Sequence, residues 1–346
     1  VSRDFPIVLR VSGSERLPGG NSLEEMLYLA PKFEAAGVDM LEVSGGVQYE
    51  GLQNILPSHS QKIGMNVYEA SEIKKVVNIP VFVVGKINDI RYGADIVERG
   101  LVDGITLGRP LLADPDLPKK ALENRFDDIT PCGSCGGRCI TPENPQHPVC
   151  KCHINPLVGQ EYDFPFNPTT SPKKVLVIGA GPGGMKAAAA AAQRGFDVAL
   201  WEKNDYMGGI MAAAGAPRFK KDVKDQVEYL IRQVYKNKID VCLGKTATLE
   251  DVKEYNPDFV VVATGANPVV IPVPGYEKPN VSTAVPVLLK QRAVGQRVVV
   301  VGGGEVGCEL STELYMQGKD VTMVEILPEI LLTTDHFVAN DQNIRY

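Results

Sequence analysis

Apolar runs alternate with helix-like patterns through the first third of the chain. A capping-box pattern of Ser22 and Glu25 begins one helix, whose apolar face ends at Gly37. Pro31 falls inside this helix and leaves its continuity open. Continuous apolar strands separated by helices predict a parallel sheet that helices cover. The four runs predicted as strands are residues 5–11, 40–43, 81–84 and 104–107.

Later parts of the chain follow a different pattern. Residues 127–172 are irregular, and the stretch 153–174, rich in Pro, Asn and Thr, is typical of a linker. A strand–helix–strand pattern begins at Lys174, and a similar one begins at Arg297. Four strand–helix units are half the number in a (β/α)₈ barrel, so the first block fits either an open sheet or half a barrel.

Composition narrows the class of protein. The 346 residues are enough for two or three domains, and a net charge of −6 argues against nucleic acid or an anionic membrane as the main partner. The longest apolar stretch, 175–192, contains glycines, a proline and Lys186, which predicts a buried strand–turn–helix and no membrane span. No secretory signal is visible near Val1, so we expect a cytoplasmic protein with a small-molecule substrate. A homo-oligomer is left open.

Cysteines are concentrated in one short segment. Five of the seven lie between positions 132 and 152, and the first three have the spacing C-x₂-C-x₃-C. Such clustering without a secretory signal indicates metal ligation and not a disulfide framework. Thiolates bind iron–sulfur clusters and structural zinc, and three close ligands with one remote favour a cluster, with a zinc knuckle as the alternative. The candidate ligands are Cys132, Cys135, Cys139, and Cys150 or Cys152.

Two glycine-rich loops follow apolar strands. The pattern G-x-G-x-x-G allows a tight turn, close approach of a pyrophosphate, and a helix whose N-terminus faces the phosphates. In each copy an acid ends the next strand, where it can bind ribose hydroxyls: Glu202 in the first and Glu325 in the second. The glycines are Gly179, Gly181 and Gly184 in the first copy, and Gly302, Gly304 and Gly307 in the second.

A tandem pair of such loops indicates that one site holds FAD and the other NAD(P)H. Gly208–Gly209 and the tripeptide ending at Gly265 stand where two-dinucleotide flavoproteins let the backbone approach FAD. Glu325 would repel a 2′-phosphate, and no arginine follows it closely, so NADH is favoured over NADPH. No cysteine pair follows the first loop, and Cys242 and Cys308 are isolated, which disfavours a disulfide reductase.

Two strand ends in the first block carry a glycine followed by a cation. If Gly85-Lys86 and Gly108-Arg109 end the last two strands of a barrel, an FMN phosphate fits between them. Arg10, at the end of an earlier strand, could then reach the flavin ring and stabilise its anionic reduced form. Alternatively, Arg10 and Arg109 pair with nearby carboxylates such as Asp114.

These motifs, in collinear order along the whole chain, resemble one known family. The order is RVS, EVSGG, VVGKIND, LGRPLLADPDL, the cysteine cluster, C-x-x-NP, GAGPGG, ATG and GGGEVG. The sequence is similar to the 2,4-dienoyl-CoA reductase and trimethylamine dehydrogenase branch of the old yellow enzyme family. The resemblance implies an FMN-binding barrel, a 4Fe–4S cluster and a two-dinucleotide unit. It implies FMN binding by Arg10, Gly85, Lys86, Gly108 and Arg109.

For the cluster, the resemblance implies ligation by Cys132, Cys135, Cys139 and Cys152, because the family's fourth cysteine precedes x-x-N-P. It also implies four segments: 1–126, the C-terminal half of the barrel; 127–172, the cluster segment; 173–294, FAD-type; and 295–346, the start of an NAD(P)H-binding fold. Barrel strands one to four, and the proton-donating tyrosine they carry in the family, have no counterpart. Tyr49 or Glu50 could stand in for the histidine that reductases place there, or Tyr49 is a loop aromatic.

The implied function is electron transfer from NADH, through FAD and the cluster, to FMN, which reduces an activated C=C bond of the 2-enoate or 2,4-dienoyl-CoA type. One alternative is an amine dehydrogenase of the trimethylamine dehydrogenase type. Another is an electron-transfer module without catalysis, or an inert fragment.

Overall fold

The computed structural model describes residues 4–47, 54–137, 139–140, 150–270 and 272–332. The chain divides into two compact units, and the boundary after Val158 places the cysteine segment with the first. The first unit is built from Val1–Arg125 and Ile129–Val158, and the second mainly from Gly159–Thr334. In the part of the chain that the structure describes, no helix has the length and apolar character needed to cross a membrane.

The first unit contains a four-stranded parallel sheet whose strands are ordered as in the sequence. Its strands are β1 (Val8–Ser12), β2 (Met40–Ser44), β3 (Val81–Val83) and β4 (Gly104–Ile105). Its helices are α1 (Leu23–Ala35), α2 (Val67–Lys74), α3 (Ile90–Glu98), α4 (Arg109–Ala113) and α5 (Leu117–Leu122). This is the arrangement of half a (β/α)₈ barrel, as predicted. The last strand is shorter than the predicted 104–107, although the amide of Thr106 still donates to the carbonyl oxygen of Val83.

The sheet of the first unit has two chemically different faces. Alternate residues of the strands, such as Leu41, Val43 and Val81, are fully buried in the core that the helices cover. The intervening residues form a row across the sheet, in which Arg10 pairs with Glu42, Glu42 with Phe82, and Phe82 with Gly104. Because side chains alternate across a strand, this row lies on the face turned away from the helices.

Helix α1 confirms the predicted start and resolves the question of its proline. The backbone amide of Ser22 donates to Glu25 Oε2 at 2.7 Å, and the amide of Glu25 donates to Ser22 Oγ at 3.3 Å. The helix continues through Pro31 to Ala35. Pro31 is exposed, where the carbonyl that lacks a helical donor can bond to water.

The second unit contains two parallel sheets. The larger has the order β7-β6-β5-β8, in which the third, second, first and fourth strands of the unit are neighbours. This is the order of a dinucleotide-binding fold. The strands are β5 (Lys174–Ile178), β6 (Asp197–Trp201), β7 (Asp240–Cys242), β8 (Phe259–Val262), and the pair β9 (Arg297–Val301) and β10 (Asp320–Val324). The helices are α6 (Pro182–Gln193), α7 (Gly209–Ala214), α8 (Lys221–Lys236), α9 (Leu249–Tyr255), α10 (Ala284–Leu288) and α11 (Glu305–Met316).

Two ion pairs join the segment before α8 to helix α11. Lys220 Nζ lies 2.5 Å from Glu309 Oε1, and Lys220 is largely buried. Arg218 Nη2 lies 3.5 Å from Glu313 Oε1, and the Arg218 backbone amide donates to Glu313 Oε2 at 3.0 Å. The first nucleotide fold is therefore connected by charged contacts to the helix that follows the second glycine loop.

Candidate functional site

The first glycine loop joins β5 to α6 in a tight turn. Gly179 has a φ of +105°, and its amide donates to the carbonyl oxygen of Trp201 at 2.7 Å. A Cβ at position 184 would lie 1.8 Å from the carbonyl oxygen of Gly179, so only glycine allows α6 to pack this closely. Gly181 is the N-cap residue of α6, where the free amides at the helix start face outward.

Glu202 lies at this loop, as the spacing predicts. Its side chain is 6% exposed, and Oε2 accepts a hydrogen bond from the amide of Ala180 at 2.7 Å. Oε1 accepts from the backbone and side-chain nitrogens of Asn204 at 2.9 and 2.8 Å. The carboxylate is thus fixed beside the loop that would hold the pyrophosphate, as needed to bind a ribose.

The other two predicted FAD elements meet the same loop. The amide of Gly208 donates to the carbonyl oxygen of Ala180 at 2.8 Å, and a Cβ at position 209 would lie 3.1 Å from Gly181 Cα. After β8, the carbonyl oxygen of Ala263 would be 2.3 Å from a Cβ at position 179. This residue begins the tripeptide ending at Gly265, whose φ is +69°. The three elements converge beside β5 and β8, where the strand order reverses and ligands bind in such sheets.

The second loop repeats the geometry of the first. The amide of Gly302 donates to the carbonyl oxygen of Val324 at 2.8 Å, and a Cβ at position 307 would lie 1.9 Å from the carbonyl oxygen of Gly302. Glu325 Oε2 accepts from the amide of Gly303 at 2.5 Å, the counterpart of the contact between Glu202 and Ala180. Gly304 is the N-cap of α11. Backbone hydrogen bonds from Leu327 and Gly303 lower the pKa of Glu325.

Of the cations predicted to bind FMN, Lys86 and Arg109 follow the carboxyl ends of β3 and β4, whereas Arg10 lies at the centre of β1 and not at its end as predicted. Each already has a protein partner. Arg10 Nη1 lies 3.0 Å from Glu42 Oε1, and its side chain is half exposed. Lys86 is largely buried and donates to the carbonyl oxygens of His59 and Gln61 at 2.7 and 2.5 Å. Arg109 Nη2 donates to the carbonyl oxygen of Pro57 at 2.6 Å.

The contact of Arg10 with Glu42 agrees with the alternative that Arg10 pairs with a carboxylate, and its role at the flavin ring stays a prediction. Asp114, the carboxylate named in that alternative, pairs instead with Lys120 at 2.6 Å and accepts from the amide of Thr130 at 2.7 Å. Asp114 therefore holds α5 and the start of the cysteine segment together. Arg109 contacts the carbonyl oxygen of Pro57 instead. The role of Lys86 as a phosphate ligand stays a prediction, since its ammonium group lies on loop carbonyls.

Buried polar atoms at this end of the sheet leave hydrogen-bonding capacity unused. Within the described part of the first unit, the buried side-chain atoms that have neither a hydrogen bond nor an ion pair are Arg16 Nη1, Glu69 Oε2 and Arg109 Nη1. Unsatisfied buried groups are costly, and they are found where a ligand completes the bonding. Gly108, with no atom within 4 Å of a Cβ, leaves room beside its backbone, whereas a Cβ at position 85 would lie 2.5 Å from Asn66 Nδ2. These features fit an anionic cofactor with polar groups, as the FMN prediction requires.

The candidate cluster ligands lie close enough to influence one another. Burial raises the pKa of Cys132 to about 11, while the Arg109 guanidinium and a hydrogen bond from the Ser134 amide act in the opposite direction. Burial, followed by the charge of Cys135, raises the pKa of Cys139 to about 11. Neutral buried thiols of this kind require a compensating positive charge to ionise, which bound iron supplies.

The backbone wraps around these cysteines by means of left-handed residues. Ser134 and Gly136 have φ values of +49° and +62°. A Cβ at position 137 would lie 2.5 Å from His153 Nε2, so the ring beside Cys152 packs directly on the glycine. Within the residues the structure describes, no three His, Cys, Asp or Glu side chains converge on the position of one metal ion. In a 4Fe–4S cluster each thiolate binds a different iron.

Cys152 fits the fourth position better than Cys150 does. The charge of Cys152 acts on both Cys132 and Cys139, and that of Cys150 acts on Cys139. Cys150 is exposed, and its sulfur lies 4.0 Å from the carbonyl oxygen of Cys139. These contacts support the choice of Cys152, which stays a prediction.

Some residues at the site were not identified from the sequence. Asn66 is 3% exposed, donates to the carbonyl oxygen of Val84 at 2.6 Å, and accepts from Arg16 Nη2 at 2.7 Å. Arg16 also pairs with Glu69 at 2.7 Å. Asn88 contacts the cysteine segment through its side-chain amide. No spacing rule links these residues, although Asn88 follows the Gly85-Lys86 turn. Tyr49 and Glu50 lie outside the described residues.

Two family models match successive parts of the chain. Residues 1–128 match the family model of the NADH:flavin oxidoreductase / NADH oxidase family. Residues 173–342 match the model described as pyridine nucleotide-disulphide oxidoreductase. Both models are therefore found in one chain, in the order that the motifs predict.

Relatives and solved structures extend the match across the whole chain. An NADH oxidase from Thermoanaerobacter brockii is 40% identical over 337 residues, covering 96% of this chain and 52% of the relative. A cinnamate reductase from Clostridium sporogenes is 35% identical over 343 residues, covering 95% of this chain and 51% of the relative. A 2-naphthoyl-CoA reductase in complex with 2-naphthoyl-CoA superimposes with a TM-score of 0.91 at 30% identity, covering 99% of this chain and 52% of that structure. The chain spans about half the length of the relatives it matches.

Proposed function

We propose that the chain belongs to the NADH:flavin oxidoreductase / NADH oxidase family, and that its protein passes electrons from NADH, through FAD and a 4Fe–4S cluster, to FMN, for reduction of an activated C=C bond. The substrate class is a 2-enoate or an enoyl thioester of the 2,4-dienoyl-CoA type. The printed names of two relatives, a cinnamate reductase and a 2-naphthoyl-CoA reductase, support this class.

The observation that carries the proposal is the repeated geometry of the two glycine loops. Glu202 and Glu325 each accept a hydrogen bond from the second residue of their loop, and each loop precedes a helix that only glycine allows to approach. Contacts to the segments at Gly208 and Ala263 are described only for the first loop. The two loops share one dinucleotide-binding geometry, and the first has additional contacts to neighbouring segments. This difference supports FAD at the first loop and NADH at the second.

Each residue of the nucleotide sites has a defined role in this proposal. The loop amides and the starts of α6 and α11 bind the two pyrophosphates. Glu202 and Glu325 bind ribose hydroxyls, and the ionised Glu325 disfavours a 2′-phosphate, which supports NADH over NADPH. Gly265 and Gly209 leave room for the backbone to approach FAD.

In the first unit, the proposal gives FMN to the carboxyl ends of the strands. Gly108 leaves room for the phosphate, and Gly85 turns the chain after β3 with a φ of +145°. Arg109 Nη1 donates a hydrogen bond to the phosphate, and Arg10 faces the ring. Lys86 holds the 57–61 loop over the same site through its carbonyl contacts. Cys132, Cys135, Cys139 and Cys152 hold the cluster, with the Arg109 charge beside them.

The reaction balances as one hydride and one proton added across the double bond. NADH would supply the two electrons, and because the cluster carries electrons and no protons, the hydrogen nucleus of NADH would leave to solvent as a proton at the FAD end. FMN would take up a proton from solvent and deliver a hydride to one alkene carbon, and an acid would supply the proton to the other. A cluster is suited to this path because single electrons can cross a gap between fixed centres, whereas hydride transfer requires contact. A tyrosine-type acid is expected for the proton, and a cytoplasmic location stays a prediction.

The test is anaerobic stopped-flow absorption spectroscopy of the purified holoprotein, with cinnamate as the probe. NADH should bleach the flavin bands, and subsequent cinnamate should restore them with formation of the saturated acid. NADPH should bleach them at least about tenfold more slowly, as expected when a carboxylate faces the 2′-phosphate. Bleaching by NADH without reoxidation by any enoate would contradict the substrate class.

The alternatives give different results in the same instrument. Bleaching by a secondary or tertiary amine, without any need for NADH, would indicate an amine dehydrogenase. Cluster assembly without flavin turnover by either substrate would indicate an electron-transfer module. Absence of any flavin or cluster absorption would indicate an inert chain.

A further inference from the structure

One side chain connects the turn at Gly85 to the cysteine segment. Asn88 Nδ2 lies 2.6 Å from Ser134 Oγ and 3.3 Å from the carbonyl oxygen of Cys132. Both acceptors belong to the loop between Cys132 and Cys135. A single amide group therefore bonds to the side chain and to the backbone of the loop that presents two candidate cluster ligands.

Asn88 is itself held on both sides along the chain. Lys86, two residues earlier, is buried with its ammonium on loop carbonyls. Asp89, the next residue, is the N-cap of α3 and accepts from the amide of Arg91 at 2.9 Å. The position of the Asn88 amide is thus fixed by the strand-end turn and by a helix start, and it does not depend on the cysteine loop.

Ser134, by contrast, has a conformation that requires support. It is fully buried, and its φ of +49° is unfavourable for a residue with a Cβ. Its backbone amide donates to the sulfur of Cys132. Hydrogen bonds to cluster sulfurs are among the features that set the reduction potential of iron–sulfur centres.

We propose that Asn88 is a positioning residue for the cluster, which holds Ser134 in its left-handed conformation and so keeps the Ser134 amide on the Cys132 ligand. This inference rests on the proposed function, because it concerns the cluster that the proposal assigns to these cysteines. The same contact fixes the cysteine loop relative to the Gly85 turn, where the proposal locates the FMN phosphate. Asn88 thereby influences both the reduction potential of the cluster and the position of the cluster relative to the flavin.

The experiment compares Asn88→Leu, which removes the donor at similar volume, with Asn78→Leu as a matched control. Asn78 is exposed and precedes β3, at the opposite end of the strand from Asn88. The holoproteins are purified anaerobically, their iron and flavin contents are measured, and the cluster potential is determined by redox titration followed by electron paramagnetic resonance. Loss of iron to a chelator is timed in parallel.

Asn88→Leu should retain FMN, shift the cluster potential to a more negative value, and lose iron about 10-fold to 100-fold faster than the wild type, as partners of metal ligands typically do. Asn78→Leu should match the wild type in all three. Ser134→Ala should shift the potential in the same direction as Asn88→Leu, and the double variant should be no worse than Asn88→Leu alone, because both single variants remove the hydrogen bond between Asn88 and Ser134.

Three results would overturn the inference. If the wild type has a cluster and Asn88→Leu leaves its potential and iron loss unchanged, Asn88 has no positioning role, while the proposed function stands. If Asn88→Leu and Ser134→Ala both lose FMN together with iron, the contact between Asn88 and Ser134 is needed for folding of the first unit in general. If the wild type itself shows no cluster signal, the proposed function fails along with the inference.

Discussion

The second glycine loop offers a substitution that should remove NADH binding and leave FAD in place. In Gly307→Ala the new Cβ would lie 1.9 Å from the carbonyl oxygen of Gly302, whereas real Cβ atoms essentially never come closer than 3.0 Å to such atoms. The two atoms nearest to this Cβ are the carbonyl oxygen and carbon of Gly302, and backbone atoms cannot rotate away as a side chain could. Helix α11 and the loop must therefore separate by about 1 Å, and a misplacement of that size costs about 100-fold in rate.

The assay is the rate of flavin bleaching by NADH in the anaerobic holoprotein, together with the flavin content. Gly307→Ala should bleach about 100-fold more slowly at low NADH, with FAD content unchanged, because the first loop is a separate structure. In Gly304→Ala the new Cβ has no protein atom within 4 Å, so this variant should fold normally. Its NADH binding should still weaken, because the Cβ stands where the pyrophosphate of NADH approaches the backbone.

Two further glycines complete the comparison. Gly184→Ala places a Cβ 1.8 Å from the carbonyl oxygen of Gly179, so it should lose FAD. Gly183→Ala is exposed with no atom within 4 Å, so it should bleach normally and gain up to about 1 kcal/mol of stability from helix propensity. Wild-type bleaching by Gly307→Ala at low NADH would refute the assignment of the second loop.

Further predictions concern the cysteines, a carboxylate and the core. Cys152→Ser should abolish cluster absorption and Cys150→Ser should retain it, as checked by iron content. Asp251 has a pKa lowered to about 2, first by the Thr248 hydroxyl; Thr248→Ala should return it toward 3.8 in an NMR titration. Because the folded pKa is depressed, stability from this carboxylate is present above its unfolded pKa and is lost as pH falls through the folded value. Leu200→Ala, at a fully buried position, should lower the free energy of unfolding by about 2–5 kcal/mol in denaturant.

Local sequence signals predicted those parts of the structure that short-range chemistry determines. The glycine loops, the capping box of Ser22 and the acids Glu202 and Glu325 were all found, because a turn, a helix start or a ribose contact requires a specific residue at a fixed spacing. The continuity of α1 through Pro31 was not predictable, because it depends on which side of the helix the proline faces.

Contacts between distant segments were beyond the reach of spacing. The pairing of Arg10 with Glu42 depends on strand register, and that of Asp114 with Lys120 depends on how a short helix turns back. The contact between Asn88 and Ser134 joins residues 46 positions apart. Lys86 illustrates a related limit, since a cation at a strand end can serve a phosphate or a loop, and only the fold shows its carbonyl partners.

The central claim, that electrons from NADH reach a cluster in this protein, is tested most directly by freezing the anaerobic holoprotein after NADH addition and recording its electron paramagnetic resonance spectrum. The account predicts iron and sulfide in a ratio of about one to one, bleaching of the flavin bands, and a signal of a reduced cluster that Cys132→Ser lacks. Bound zinc in place of iron, or flavin bleaching without any cluster signal, would contradict it.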